Sequence, residues 1–244
     1  MTTTSIRTSL LLVPFSIFLF SCGHLFGKRV HGNGNVTTQD RTVGDFKDVE
    51  VDGAAKLLVS QGDHRSVKIE VDENLQDLIE VYMEGDKVVI REKRHFNIDP
   101  STDLKVYVTS PLYNKIDVAG ACDIIGQTVI TNTEDMYLDI SGSGTMKMEI
   151  NAPHISADVT GSGNIDLKGE TKSADLEING SGHAHCFDLK TETTKVEING
   201  SGSAEVYASV KLSAEVAGSG NVDYKGGASV EQHAAGSGSV RKVD

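Results

Sequence analysis

Tryptophan is absent from the sequence, and aromatic residues make up only 5% of it. Proline occurs 4 times against 25 glycines, a ratio that excludes a collagen-like chain. Hydrophobic content of 38% is too high for a disordered chain. The combination suits many short strands joined by glycine turns. Positive charge is also scarce. The formal net charge is −12, and an acidic surface repels phosphate backbones, so nucleic acid is excluded as a partner. No arginine lies between Arg94 and Arg241, which removes the usual bidentate clamp for phosphate and carboxylate from that stretch. Long hydrophobic runs are missing as well. The apolar stretch from Leu10 to Phe20 is too short for a comfortable membrane span.

That stretch has the form of an export signal. Arg7 is the only charged residue before Cys22, and the apolar run fits a signal-peptide core. It ends at Leu19-Phe20-Ser21-Cys22, which resembles the bacterial lipobox: an aliphatic residue at minus three, a small residue at minus one, then cysteine. The resemblance implies cleavage before Cys22 and acylation of that cysteine, which holds a protein on a membrane without a spanning helix. Residues 1–21 are thus expected to be a lipoprotein signal peptide, and residues 22–42 a lipid-anchored tether containing Gly27, Gly32 and Gly34. Gly23, following Cys22 where an aspartate would retain the protein, favours the outer membrane by resemblance to known sorting signals.

The rest of the chain, residues 43–244, is organised by a repeat. Gly-Ser-Gly occurs at 142–144, 161–163, 180–182, 200–202, 218–220 and 236–238, at steps of 18 to 20 residues. Degenerate relatives stand upstream at Gly120-Ala121-Cys122 and Gly53-Ala54-Ala55. The flanks alternate: Leu138 and Ile140, Leu176 and Ile178, Val196 and Ile198 precede the glycines, and Met146 and Met148, Ile165 and Leu167, Val222 and Tyr224 follow them. Period-two alternation predicts strands with one buried face. Parity carries through the triplet, leaving two conformations open. Either both glycines face inward in extended chain, or positive φ makes the triplet a corner. In the extended case the serine faces outward, and in both cases the apolar set returns to the same side after the triplet.

A unit of 18 to 20 residues cannot bury its own apolar face and must stack on its neighbours. The expected fold is an all-β, single-chain parallel β-solenoid with rungs spaced by ~4.8 Å. A sandwich of hairpins would explain the alternation but not the constant spacing. The section from Val43 to about Val118 is less regular. It contains strands at 67–71 and 104–108 and a hairpin at 78–91 around Gly85-Asp86, and is read as the broader, capping end of the solenoid.

The Glu-Ile-Asn-Gly-Ser-Gly stretches at 177–182 and 197–202, with the opening Phe46-Lys47-Asp48-Val49-Glu50-Val51-Asp52-Gly53, resemble the head GIN domain of autotransporter-adhesin-like proteins. The resemblance spans roughly residues 43 to 230. It implies a β-helical domain on a secreted or lipid-anchored envelope protein, and it brings no catalytic residues.

No constellation of residues marks a reaction. The outward carboxylates Asp139, Asp158, Asp166, Asp175 and Asp223 belong to the alternating pattern, and no rung is chemically richer than its neighbours. A calcium ladder fails on detail: the positions equivalent to Asp166 are Lys147, His185, Glu205 and Arg241. His183 and His185 share a strand face but lack an evident third metal ligand, and His154 and His233 have no visible partners. Cys122 and Cys186 fall at inward parity about three rungs, or ~14 Å, apart, too far for a disulfide. The sequons at Asn179 and Asn199 are better explained as turns. The sequence therefore predicts a non-enzymatic, adhesin-like envelope protein, without metal or cofactor. It would be anchored at Cys22 and able to bind a surface polysaccharide or a protein, with homo-oligomer formation left open. The alternative is a carbohydrate-active β-helix enzyme.

Overall fold

In the computed structural model, which describes residues 27–244, the alternation becomes three stacked ladders of side chains. Ile116, Leu138, Ala157, Leu176, Val196 and Ala214 lie in register along one column, and Val118, Ile140, Val159, Ile178, Ile198 and Val216 along the next. Ile124, Met146, Ile165, Ala184, Ala204 and Val222 face them from the other side of the triplet. All are buried, each with the ~1.5–3 kcal/mol typical of a fully buried aliphatic side chain, less for alanine. The result is a parallel β-solenoid of about 7 turns, with 69% of the described residues in strands.

Two sheets run along the solenoid, one ahead of the glycine triplets and one behind them. The pre-glycine sheet stacks Asp48–Gly53, Lys115–Gly120 and Met136–Gly142, then the second halves of Thr145–Gly161 and Asn164–Gly180, then Leu189–Gly200, Lys211–Gly218 and Ser229–Gly236. Every pairing in that series is parallel and in register, glycine on glycine. The post-glycine sheet stacks Lys56–Gln61, Asp123–Gly126, the first halves of the two long strands, His183–Cys186, Ser203–Tyr207, Asn221–Lys225 and Ser239–Lys242. The degenerate upstream triplets are thus true rungs, since Gly120 pairs with both Gly53 and Gly142.

At the N-terminal end both sheets continue into antiparallel strands. Ile79–Glu84 and Lys87–Glu92 form the expected hairpin on the pre-glycine sheet. Ser66–Asp72 runs antiparallel to Lys105–Ser110, which itself pairs parallel with Lys56–Gln61. The fully buried rings Phe46 and Tyr113 fill this end, and the Tyr113 hydroxyl donates to the Ser60 carbonyl at 2.7 Å.

The tether expected over residues 22–42 is corrected by the structure from Lys28 onward. Lys28–His31 pairs parallel with Phe96–Asp99, and Val36–Arg41 pairs antiparallel with Ser66–Asp72. The loop between them is clamped by buried Asp72, whose carboxylate accepts from Gly34 N–H at 2.7 Å, Ser101 N–H at 2.8 Å and the Ser101 hydroxyl at 2.7 Å. Burial alone would raise the pKa of Asp72, but these hydrogen bonds hold it below the usual value. A Cβ on Gly32 would meet the same carboxylate at 2.3 Å, so the glycine lets the loop close. Sparse hydrophobic periodicity masked these strands, because they lie over the domain with mostly exposed side chains. The signal peptide and Cys22 lie outside the described residues.

Candidate binding surface

The triplets form one edge of the solenoid, and their geometry decides between the two conformations left open by parity. The first glycine of each copy has φ between +117° and +138°, so the chain turns a corner there. A Cβ at that position would lie 2.1–2.5 Å from the carbonyl oxygen of the equivalent glycine one rung earlier. That oxygen instead accepts the backbone N–H of the following serine, as in Ser181 N–H to Gly161 O at 2.8 Å and Ser201 N–H to Gly180 O at 2.9 Å. The last glycine is buried in five copies and half-buried at Gly238, and from Gly163 onward its missing Cβ is aimed at a core side chain. The serines at 143, 162, 181, 201, 219 and 237 are exposed. The motif is thus a backbone hydrogen-bond ladder, and the serine hydroxyls contribute only an exposed row.

The outward face of the pre-glycine sheet carries a second row. Glu50, Asp117, Asp139, Asp158, Glu177, Glu197 and Glu215 occupy the same position in successive rungs. In-register parallel pairing sets like charges one rung apart, ~4.8 Å in the hydrogen-bonding direction. Lysines relieve both ends of the row. Lys87 pairs with Glu50, Lys115 bridges Asp117 and Asp139, and Lys195 pairs with Glu197. Asp158 stands at the unrelieved middle. Burial first, and then the neighbouring carboxylates Asp139 and Glu177, push its pKa up to about 6. Only part of this row was visible from spacing: Asp139 and Asp158 stood out, while Glu177, Glu197 and Glu215 become their neighbours through exact rung-on-rung register. The common position three residues before the first glycine was the available signal.

The post-glycine face is mixed in charge. His183 Nδ1 lies 2.6 Å from Ser203 Oγ, and His185 Nδ1 lies 2.9 Å from Glu205 Oε2. The two rings are 6.3 Å apart, and among the described residues no group of three metal-ligating side chains converges. His154 Nδ1 lies 2.8 Å from Ser173 Oγ, with Asp175 4.0 Å from the other ring nitrogen and beyond hydrogen-bond reach. His233 is exposed. On the short third side of the solenoid an open groove of about 610 Å³ is lined by Asn132, Asn151, Glu170, Thr191, Tyr207 and Ser209 among others. Cys122 and Cys186 are free and buried, and burial pushes both thiols up to about 12.

These features define a repeat domain that presents long polar rows on a rigid frame. The sequence profile of the family described as "Putative auto-transporter adhesin, head GIN domain" matches residues 45–228, and the chain belongs to that family. A crystal structure of a "putative adhesin" from Bacteroides fragilis superposes with a TM-score of 0.82 at 20% identity, covering 88% of this chain and 100% of that one. A "putative lipid binding protein" from Parabacteroides distasonis gives 0.76 at 25% identity, with 89% and 100% covered. A "putative adhesin" from the same species gives 0.67 at 28% identity, with 88% and 100% covered. No curated protein matches the chain.

Proposed function

We propose that this is a lipid-anchored cell-envelope protein, held at Cys22 in the outer membrane, whose adhesin-like solenoid binds an extracellular or surface partner without catalysis. The observation that carries this reading is the rung-on-rung register of the outward side chains. The pre-glycine face repeats one kind of contact, a carboxylate, along the axis, and a repetitive polysaccharide or an extended protein segment offers contacts with a matching repeat. Catalysis asks for the opposite arrangement, in which unlike acid, base and nucleophile converge on one atom. Membership of an adhesin-described family supports the same reading, as does its implied extracellular or envelope location. The test is a glycan array and a cell-surface pull-down with the mature protein. Saturable binding to a repeating polymer or a defined surface protein, with the bound material recovered intact, is expected. Recovery of shortened polymer chains would overturn the non-catalytic part, and absence of any saturable partner would overturn the binding part.

A further inference from the structure

The protein is strongly acidic, yet the end at which the described chain begins is not. Lys28 and Arg29 open the first strand, and its parallel pairing with Phe96–Asp99 sets them beside the turn Lys93-Arg94-His95. Lys28 N–H donates to the His95 carbonyl at 2.8 Å, and Lys93 N–H donates to the Leu78 carbonyl at 2.8 Å, which fixes the turn from both sides. His95 has φ +69°, a left-handed conformation that a histidine adopts only at a cost, and the Phe96 N–H to Lys93 O bond closes the turn across it. Lys28, Arg29, Lys93, Arg94 and His95 are all exposed. Among the described residues Lys28, Lys93 and Arg94 form no ion pair, whereas Arg29 is held by Asp99 at 2.9 Å and His31 lies 2.7 Å from the same carboxylate. Glu92, beside the turn, is partly buried, and burial raises its pKa. Asp77, just before Leu78, is the exposed acid nearest in sequence to this contact.

Chain length makes this end special. Only four residues, Gly23 to Phe26, separate Gly27 from Cys22, and the five steps along the chain reach at most about 18 Å when fully extended. Any lipid on Cys22 therefore keeps Gly27 within that distance of the bilayer, which lets this cationic end come within the ~8–10 Å range of surface electrostatics. We propose that Lys28, Lys93 and Arg94 dock on the anionic phospholipid headgroups of the membrane that holds the anchor. The docking seats the N-terminal end on the bilayer and projects the acidic rungs away from it. This rests on the anchor at Cys22 proposed above.

The test uses the acylated mature protein on vesicles of phosphatidylcholine alone and of phosphatidylcholine mixed with phosphatidylglycerol. Flotation with both vesicle types reports the anchor. Hydrogen exchange of the Arg94 and His95 amides reports the docking. Each cation favours an anionic surface about fivefold, so these amides should exchange at least about tenfold more slowly on the anionic vesicles at low salt. High salt should abolish the difference, and so should the combined Lys28→Gln, Lys93→Gln and Arg94→Gln variant. Flotation with equal exchange on both vesicles would overturn the docking and leave the anchor standing. Undiminished protection in the triple variant would also overturn it. Failure to float on phosphatidylcholine would overturn the anchor, and the docking with it.

Discussion

Gly163 and Ile140 share one volume in the core. A Cβ on Gly163 would lie 2.8 Å from Cγ2 of Ile140, one rung earlier, and 3.1 Å from the Gly144 carbonyl oxygen. The same relation links Gly202 to Ile178 and Gly220 to Ile198. From Gly163 onward each closing glycine therefore makes room for the β-branched residue that precedes the previous triplet, whereas Gly144 gives way to the Cys122 backbone. Gly163→Ala should cost ~1–3 kcal/mol through overpacking, and Ile140→Ala ~2–5 kcal/mol through the cavity it leaves. The double variant should be at least ~1 kcal/mol more stable than the sum of the two. Denaturant melts of the four proteins in the cycle measure this coupling, and strict additivity would contradict the shared volume.

The first glycine of the triplet answers to the backbone instead. Gly180 has φ +138°, and a Cβ there would meet the Gly161 carbonyl oxygen at 2.2 Å. Gly180→Val is expected to destabilise the domain by ~2–4 kcal/mol. Ser181→Ala should change stability by less than ~0.5 kcal/mol, since the exposed hydroxyl takes no part in the ladder. Thermal melts of both variants decide it. A more damaging serine change would move the ladder from the serine N–H to its hydroxyl.

Asp158 makes the fold sensitive to pH. Its pKa in the folded state, about 6, lies above the ordinary carboxyl value of 3.8. The folded state therefore binds the extra proton, and stability falls as pH rises through the window between those values. Asp158→Asn removes the charge. It should raise stability above pH 6 by about 1–2 kcal/mol after solvent screening, and leave it nearly unchanged near pH 3.5. Urea melts of both proteins across that range provide the check. A stabilisation that is independent of pH would assign the effect to packing.

Asp72 ties the first two strands to the domain. With Ala in its place, the N–H groups of Gly34 and Ser101 lose their acceptor. Loss of buried, charged hydrogen bonds costs about 1–3 kcal/mol. Faster hydrogen exchange is expected across residues 28–41, with the rungs beyond Gly142 unaffected. Uniform acceleration along the whole chain would show that this end is part of one cooperative unit.

The solenoid was legible because its cause is local and repeated. The spacing of Gly-Ser-Gly and the parity of residues such as Ile178 and Ile198 require nothing beyond neighbours in sequence. The choice between inward glycine and corner was not legible, because both give the same parity. It turns on the carbonyl of a residue some twenty positions earlier, as Gly180 meets Gly161. The two-stranded entry over 28–41 was hidden because its partners, 66–72 and 96–99, are distant and its own side chains mostly face water. The carboxylate row was half legible. Asp139 and Asp158 were visible as outward acids, but the raised pKa of Asp158 needs Glu177 set directly beside it by the register.

The most direct measurement is the mass of the N-terminal peptide of the mature protein recovered from the membrane fraction. It should begin at Cys22 and carry the added mass of acyl chains, and Cys22→Ala should abolish both the modification and the membrane association. A mature protein that begins elsewhere, or one whose Cys22 is unmodified while it stays with the membrane, would contradict the lipid anchor.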